Sequence, residues 1–263
     1  MQLLRLDFAG PVARLLIDHP QRRNAITRAM WRALPGLVAD ALAAPQVRVL
    51  VLQGAQPGVF AAGADISEFE RTYADAQDAL RANAEIQAAA DALAASPLPT
   101  VALIDGACVG GGVSLAIACD FRIASDRARF AVTPARLGLS YHPADLARLV
   151  RACGLGAASE LLFSGLPWDA AQGLQCGLVN QVLPAADFAA TADALLQAMA
   201  ANSLEANLAL KRGLRAVVEG DAAAIAQSVQ DFEALFSSPD FLEGRDAFLQ
   251  KRPAAFPSHR KPQ

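Results

Sequence analysis

The sequence lacks the features that are typical of membrane, metal-binding and nucleic-acid-binding proteins. No charge-free apolar run reaches the roughly 18 residues that a membrane span requires. The four cysteines are too far apart for a CxxC pair or a zinc site, so we expect small buried residues of a reduced protein and no bound metal: Cys108, Cys119, Cys153 and Cys176. The net charge of −3 comes without a cluster of Lys or Arg, which argues against nucleic acid as a partner.

The first twenty residues carry charges throughout, with no apolar segment that ends in small residues, so we expect no signal peptide and a cytoplasmic location. What the sequence does have is apolar residues, which make up 54% of its 263 positions. That content and length predict a globular protein of one large domain, or of one domain with a smaller appendage.

The N-terminal part alternates between strand and helix patterns. LLRLDF and VARLLID flank AGP and predict a β-hairpin, whereas VRVLVLQG and TVALID are typical of buried strands. A helix is predicted from Thr27, with Trp31 and Leu34 on its apolar face, and another over residues 75–96. The alternation indicates an α/β sheet.

Beyond about residue 142 the patterns are mostly helical. ADLARLVRACG, GAASELLFSG, DAAQGLQCG and three longer Ala-rich segments from Ala185 to Lys251 predict helices, with one strand, LVNQVL, among them. Pro184 and Ser203 interrupt these segments. We therefore predict a core over residues 1–195 and a C-terminal helical region over residues 196–263.

Three consecutive glycines stand between a strand and a helix in GACVGGGVS, at 106–114. Glycine lets the backbone approach a ligand closely, and the N-terminus of the following helix favours negative charge there. The alternative is a tight turn with a packing role only. The spacing does not fit GxGxxG or a phosphate loop, and GVSLA resembles a nucleophile elbow only loosely, which leaves a serine hydrolase as a minor alternative.

A second motif, FAAGADI at 60–66, follows a predicted strand, and Ser67 to Glu70 after it have the spacing of a capping box that opens a helix. Together with other segments, this motif resembles the enoyl-CoA hydratase/isomerase (crotonase) family in order and spacing. The matching segments cover nearly the whole chain: HPQRRNAI at 19–26, FAAGADISEF at 60–69, DGACVGGGVSLAIACDFRIAS at 105–125, LFSG at 162–165, GLVNQVL at 177–183 and EGRDAFLQKRPAAF at 243–256.

The resemblance implies a fold, a substrate class and a set of site residues. The fold is a crotonase-like α/β spiral of ββα units whose C-terminal helices build a homotrimer or a dimer of trimers. The substrate is an acyl-CoA thioester, with CoA as part of the substrate and no separate cofactor. The backbone N–H groups of Ala64 and Gly111 are implied to form an oxyanion hole for the thioester enolate, with Gly111 lacking a side chain that would crowd the thioester. The implied CoA contacts are Arg23, Ala25, Ala62, Asp65 and Ile66, and Asp120 is expected to be structural.

Two positions depart from the hydratases of the family, which carry two glutamates that hold the attacking water. This chain has Ser114 at the first position and Pro134 at the second, or Ala135 if the register moves by one residue. General acid–base groups contribute about 10²–10⁴-fold, so the departure argues against efficient hydration but leaves enolate stabilisation intact. For Ser114, we weigh a catalytic hydroxyl against a hydroxyl bonded to its own helix.

The segment TPARLGLSYHP resembles the TPxxLGxxY pattern of methylmalonyl-CoA decarboxylase-like members, although those members can carry His where this chain has Ala64. We therefore predict decarboxylation of a short malonyl-type CoA ester, with Tyr141 or His142 as the proton donor. The alternatives are a wall role for Tyr141 and a helix-capping role for His142. The rival functions are hydration or double-bond isomerisation with substitute groups, and a silent acyl-CoA-binding subunit.

Overall fold

The computed structural model describes residues 3–260 as a mixed α/β fold. The strands in that range are β1 Leu4–Ala9, β2 Val12–Ile17, β3 Val49–Gly54, β4 Val59–Ala61, β5 Thr100–Ile104, β6 Ala107–Val109, β7 Phe121–Ser125, β8 Arg129–Ala131, β9 Trp168–Asp169 and β10 Gln181–Leu183. The α-helices are α1 Arg28–Ala43, α2 Phe69–Thr72, α3 Ala76–Ala95, α4 Gly111–Ala118, α5 Pro143–Ser164, α6 Ala170–Cys176, α7 Phe188–Ala201, α8 Leu204–Glu219, α9 Ala222–Leu235 and α10 Pro239–Leu249. Over this range, no helix combines the length and the apolar character of a membrane span.

The larger sheet has six strands in the order β1-β2-β3-β5-β7-β10. The hairpin of β1 and β2 is antiparallel, and every other neighbouring pair is parallel. The side chains of β3 from Val49 to Leu52 are all buried, as expected where both faces of a parallel sheet are covered. The predicted hairpin and the two predicted central strands, β3 and β5, are confirmed.

A second sheet has the order β4-β6-β8-β9 and is missing from the sequence prediction. Its strands have only two or three residues, which is too short for a periodic pattern. The strands β4, β6 and β8 each follow a strand of the larger sheet and precede helical structure, so a ββα unit occurs three times along the chain. The predicted spiral of ββα units is confirmed.

The helices α1 and α3 are also confirmed, and each begins at a side-chain cap. The hydroxyl of Thr27 accepts a hydrogen bond from the N–H of Met30, and the carboxylate of Asp75 accepts one from the N–H of Asp78. The predicted face of α1, including Trp31 and Leu34, is buried in the main core.

The predicted capping box at Ser67 to Glu70 is wrong. The carboxylate of Asp65 accepts hydrogen bonds from the N–H and the hydroxyl of Ser67 and caps a 3-10 turn over 66–68, from which α2 continues. The carboxylate of Glu68 instead accepts a hydrogen bond of 2.6 Å from the N–H of Arg28 at the start of α1. Glu68 thus binds the backbone of a distant segment instead of a local one, and this hydrogen bond connects the start of α2 to the start of α1.

The C-terminal part contains four helices after residue 184, where the sequence predicts three segments. The boundary predicted after residue 195 falls inside α7, which buries Phe188, Ala192 and Leu196 against the larger sheet. The next helix, α8, begins at Leu204 with Ser203 as its N-cap residue, so Ser203 interrupts the helical segments as the sequence predicts. The two helices predicted on either side of residue 154 are both present: they run on within α5, but Gly154, with φ 77° and ψ 162°, leaves the helical conformation and makes a kink between them.

Candidate active site

Two loop segments meet at the N-terminus of α4, and each carries one of the predicted oxyanion donors. A Cβ atom built on Gly111 would lie 3.9 Å from the backbone N of Ala64, so the two peptides are close neighbours. Within residues 3–260, neither the N–H of Ala64 nor that of Gly111 donates a hydrogen bond. Both donors are therefore available to a ligand, and the one on Gly111 lies at the positive end of the helix dipole.

Each of the three consecutive positions 110–112 requires glycine for a different physical reason. Gly110 has φ 50° and ψ −112°, a conformation that residues with a side chain rarely adopt. A Cβ atom on Gly111 would lie 2.8 Å from Cζ2 of Trp31, and one on Gly112 would lie 2.9 Å from the Cβ of Ala61. The crowding expected at Gly111 is thus present, but the protein's own indole ring causes it before any thioester is bound.

The predicted CoA-contacting segments, 23–25 and 62–66, are brought together by backbone hydrogen bonds. The N–H of Ala62 donates to the carbonyl of Arg23, and the N–H of Asp65 donates to the carbonyl of Ile26. Arg23 and Ile66 are exposed, whereas Ala25 is buried. The two segments form one continuous edge next to the donor of Ala64.

Asp65 is buried in this edge and remains charged. Burial by itself raises the pKa of its carboxyl group, but the hydrogen bonds from Ser67 and the nearby charge of Arg22 outweigh that effect and hold the pKa below its ordinary value. The carboxylate therefore fixes the backbone that follows Ala64. Its hydrogen bonds within the chain give it a structural role in addition to the predicted contact with CoA.

Ser114 and Tyr141 form a hydrogen-bonded pair of hydroxyl groups. The Oγ of Ser114 donates to the Oη of Tyr141 at 2.7 Å, and the Oη of Tyr141 donates to the carbonyl oxygen of Gly110 at 3.0 Å. Both side chains are buried. The bond that the sequence analysis weighed for Ser114, back to its own helix, is not the one formed, because Tyr141 from the following loop offers an acceptor.

His142 is the N-cap residue of α5, where it is exposed. Its Nδ1 accepts a hydrogen bond of 3.2 Å from the N–H of Ala144. This is the helix-capping arrangement that the sequence analysis gave as the alternative for His142. A ring that accepts through Nδ1 carries its proton on Nε2, which keeps this atom available as a donor.

The two positions that the resemblance assigns to the hydratase glutamates, Ser114 and Pro134, hold no carboxylate. Ser114 lies in the first turn of α4, and Pro134 begins a 3-10 turn. Glu68 and Asp145 are the acidic side chains that we weigh as substitutes, and both form hydrogen bonds within the chain, although Glu68 also borders the cleft beside Ala64. Glu68 binds the start of α1 and Arg71, and the buried Asp145 accepts from Arg148 at 3.1 Å.

The cleft beside Ala64 is narrow and mostly apolar. Its free volume is about 20 Å³, which is room for about one water molecule. Trp31, Phe69 and Ile86 contribute its apolar walls.

Two residues that the sequence analysis did not assign to the site support it. Trp31 packs against Gly111, and its place in a helical apolar pattern indicated only a core residue. Asn24 has φ 56°, and its amide donates to the carbonyl oxygens of Val59 and Phe60, which fixes the strand that leads to Ala64. The only signal for Asn24 in the sequence was its place in the segment HPQRRNAI; its burial is known from the structure alone.

Comparisons with known proteins agree with this architecture. The family model described as enoyl-CoA hydratase/isomerase matches residues 7–259. The enoyl-CoA hydratase domain-containing protein 2 of Mus musculus is 32% identical over 257 residues, which cover 95% of this chain and 86% of that protein. A solved structure of an enoyl-CoA hydratase/isomerase family protein from Hyphomonas neptunium has a TM-score of 0.93 and 42% identity, and the match covers 97% of each chain. An enoyl-CoA hydratase from Bacillus anthracis has a TM-score of 0.92 and 27% identity over 98% of this chain and all (100%) of that one.

The chain therefore belongs to the enoyl-CoA hydratase/isomerase family, as the sequence motifs indicated. The similarity extends over nearly the whole length of each of these proteins, so it includes both the spiral core and the C-terminal helices. The similarity of TPARLGLSYHP to decarboxylase-like members remains a prediction.

Proposed function

We propose that this protein is an enzyme that holds the enolate of an acyl-CoA thioester between the N–H groups of Ala64 and Gly111, and that it forms this enolate by decarboxylating a short malonyl-type CoA ester. One observation carries the proposal. Two free backbone donors lie next to each other, one of them at a helix N-terminus. The serine at position 114, where the resemblance to the hydratases implies a glutamate, supports the proposal further.

The two donors favour charge that develops on the thioester oxygen. Backbone N–H groups held rigidly by the fold need no reorganisation when the enolate forms, and each is worth about 3–4 kcal/mol in comparable sites. The dipole of α4 adds a favourable contribution at Gly111. The packing of Trp31 and Ala61 against Gly111 and Gly112 keeps the loop in place.

Decarboxylation fits a site of this kind because it needs no general base. The bond between the α-carbon and the carboxylate breaks, its electron pair moves into the thioester to form the enolate, and CO₂ leaves. The α-carbon then takes up a proton. Hydration would instead need a free carboxylate to activate water, and Glu68 and Asp145 are held by hydrogen bonds within the chain.

We assign the CoA moiety to the edge formed by residues 23–25 and 62–66, where the exposed Arg23 suits phosphate groups. We place the thioester carbonyl next to the N–H groups of Ala64 and Gly111, with the acyl group extending from there. Of the two predicted proton donors, His142 has the available N–H, because the hydroxyl of Tyr141 is already donated to Gly110.

The reaction is tested by incubating the purified protein with malonyl-, methylmalonyl-, crotonyl- and longer enoyl-CoA and following the products by mass spectrometry. We expect a malonyl-type ester to lose CO₂, and crotonyl-CoA to gain water only slowly. His142→Ala is expected to lower the decarboxylation rate by about 10²-fold if the imidazole supplies the proton.

Hydration of crotonyl-CoA with kcat above about 10 s⁻¹ would refute the decarboxylase proposal in favour of the hydratase activity named for several relatives. Binding of every thioester without any turnover would identify a silent acyl-CoA-binding subunit. A denatured sample of the same protein serves as the control for spontaneous loss of CO₂.

We also propose that the C-terminal helices assemble the chain into a homotrimer or a dimer of trimers. Large apolar side chains on and next to α8, α9 and α10 are exposed, and an apolar surface that stays uncovered in one chain is typical of an interface. The side chains concerned are Leu210, Leu214, Val217, Phe232, Phe236, Phe248 and Leu249.

Light scattering at micromolar concentration is expected to give a trimer or a hexamer. Phe248→Asp should shift the mass towards the monomer, because it places a charge in the buried contact. Phe8→Asp on the edge strand β1 is the matched control, since it also replaces an exposed Phe but lies outside the helical region. A wild-type monomer would contradict the proposed assembly.

A further inference from the structure

The hydroxyl of Tyr141 reaches the donor of Gly111 through a single peptide group. The carbonyl oxygen that accepts its hydrogen bond belongs to Gly110, and this carbonyl shares its peptide bond with the N–H of Gly111. The same oxygen also accepts from the N–H groups of Val113 at 2.9 Å and Ser114 at 3.1 Å. Three donors therefore converge on the carbonyl end of the peptide whose N–H end faces the site.

Hydrogen bonds to a carbonyl change the other end of the same peptide. They draw electron density towards the oxygen, which makes the N–H more positive and a stronger donor, by about 10–30% per bond in condensed-phase estimates. They also hold the peptide plane in one orientation. This restraint matters at Gly110, where φ is 50° and ψ is −112°, because a glycine has no side chain whose steric contacts would limit its backbone conformation.

We propose that Tyr141 is a positioning residue that orients and polarises the Gly110–Gly111 peptide, so that the N–H of Gly111 becomes a stronger donor to the thioester oxygen. The inference rests on the proposed role of that N–H in the oxyanion hole. It does not depend on whether the enolate arises by decarboxylation, hydration or isomerisation.

The geometry separates the phenol from the thioester oxygen. In a trans peptide, the C=O and N–H bonds point in opposite directions. An oxygen bound to the N–H of Gly111 and the hydroxyl bound to the carbonyl of Gly110 thus lie on opposite edges of the peptide, about 7 Å apart with ordinary hydrogen-bond lengths.

The surroundings of Tyr141 also make it a poor acid. Burial raises the pKa of the phenol well above its ordinary value, and the charge of Asp145 raises it further. Its proton is engaged by Gly110, and its oxygen accepts from Ser114. These contacts favour a fixed hydroxyl over one that transfers its proton in each turnover.

Ser114 acts as the second member of this arrangement. Its hydroxyl holds the phenol oxygen at 2.7 Å, and Ser114 lies one helical turn after Gly110. In Tyr141→Phe, the freed serine hydroxyl can rotate and donate to the carbonyl of the residue four positions earlier, which is Gly110. The double variant S114A/Y141F is therefore needed to remove every side-chain donor from that carbonyl.

The experiment uses [1-¹³C]acetyl-CoA, which has a thioester carbonyl but no carboxylate to lose. Infrared spectroscopy of the bound thioester measures how strongly its carbonyl is polarised. We expect a downshift on binding to the wild type. In S114A/Y141F, the downshift should be smaller by about 10–30%, with Tyr141→Phe between the two. Ser228→Ala is the matched control, because it also removes a hydroxyl that donates to a backbone carbonyl, that of Ile225 on α9, outside the loops 60–66 and 106–114, and it should leave the downshift unchanged.

Kinetics with an accepted substrate give an independent readout. An N–H donor of an oxyanion hole contributes about 10²–10³-fold to kcat. If the hydrogen bond from Gly111 to the thioester oxygen weakens by about 10–30%, kcat of S114A/Y141F should decrease by about 2- to 8-fold, with KM and the shape of the pH profile unchanged. A decrease beyond 10²-fold in Tyr141→Phe, with a changed pH profile, would overturn the proposal and make Tyr141 the proton donor.

The outcomes distinguish this inference from the proposed function. If the wild type shows no downshift with acetyl-CoA, the oxyanion hole itself is refuted, and the role of Tyr141 with it. If the wild type shows a downshift that S114A/Y141F retains in full, only the role of Tyr141 is overturned.

Discussion

Removal of the amide N–H of Gly111 is expected to lower kcat by about 10²–10³-fold and to change KM little. The cleanest way is to replace Gly111 with glycolic acid, so that an ester oxygen takes the place of the N–H. The N–H stabilises charge that develops on the thioester oxygen only as the enolate forms, which is why the loss appears in kcat. Single-turnover kinetics with the preferred thioester measure the effect.

The structure shows why a side-chain substitution at Gly111 is a weaker test. Proline removes the N–H and is tolerated at the first position of a helix, but its Cβ would lie where an added carbon comes within 2.8 Å of Trp31. The displaced indole would alter the site in a second way. The ester adds no atoms, and the N–H that it removes has no acceptor within residues 3–260.

The ester at position 111 also makes the carbonyl oxygen of Gly110 a weaker hydrogen-bond acceptor. A second ester variant that perturbs the hydrogen bonds of the same carbonyl therefore serves as the control. Replacement of Val113 by its hydroxy acid removes one hydrogen bond to the carbonyl of Gly110 but keeps the N–H of Gly111. We expect this variant to stay within about 8-fold of the wild type in kcat. Equal activity of the Gly111 ester and the wild type would place the thioester oxygen elsewhere.

Asp120→Ala is expected to lower the free energy of unfolding by about 3 kcal/mol and to leave kcat unchanged. The Oδ2 of Asp120 accepts from the N–H of Thr100 at 2.7 Å and from the Nζ of Lys211 at 2.6 Å. Alanine leaves the buried N–H of Thr100 without its partner and the buried ammonium of Lys211 without a counter-charge. This loss of about 3 kcal/mol is at the low end of the range for breaking a buried ion pair, because the side chain of Asp120 is 35% exposed.

The stability loss should depend on pH. Burial lowers the pKa of Lys211, and the charge of Asp120 opposes this decrease. Without Asp120, the pKa falls further, so the unfolded chain binds more protons than the folded chain between the lowered value and the ordinary lysine value of about 10.4. Stability of the variant therefore rises with pH in that window. Urea denaturation should show a larger loss at about pH 7 than at about pH 10.

The double variant D120A/K211M is the control, because it removes the uncompensated charge together with its partner. It should regain part of the loss that the single variant shows. Loss of turnover in a folded Asp120→Ala protein would contradict the structural role. Such a loss is not expected, since the eight residues of α4 place Asp120 about 12 Å from Gly111 along the helix.

Part of the candidate site was readable from the sequence, from local chemistry at the glycines and from the resemblance to the family around Ala64. The three glycines between a strand and a helix indicated a close backbone approach, and the motif around Ala64 indicated the second loop. The absence of carboxylates at Ser114 and Pro134 also needs no coordinates. The hairpin, the central strands and the long helices follow from apolar periodicity over five or more residues.

The features that the sequence did not predict depend on contacts between segments that are far apart along the chain. The second sheet consists of strands too short for a pattern and exists because β4, β6 and β8 pair with one another. Glu68 caps α1 instead of its own helix because the fold places the N–H of Arg28 2.6 Å from its carboxylate. Trp31 follows an ordinary helical pattern, and only the packing of α1 puts its ring against Gly111.

The hydrogen-bonded hydroxyl groups of Ser114 and Tyr141 likewise depend partly on the sequence and partly on the tertiary structure. The sequence by itself supplied the two hydroxyl-bearing residues, Ser114 and Tyr141, and the resemblance to the family indicated Ser114 as a departure from a hydratase glutamate. Which atoms these hydroxyls bind depends on where the loop before α5 crosses the start of α4, and only the tertiary structure decided it. That crossing brings the phenol to the carbonyl of Gly110, a partner 31 positions away along the chain.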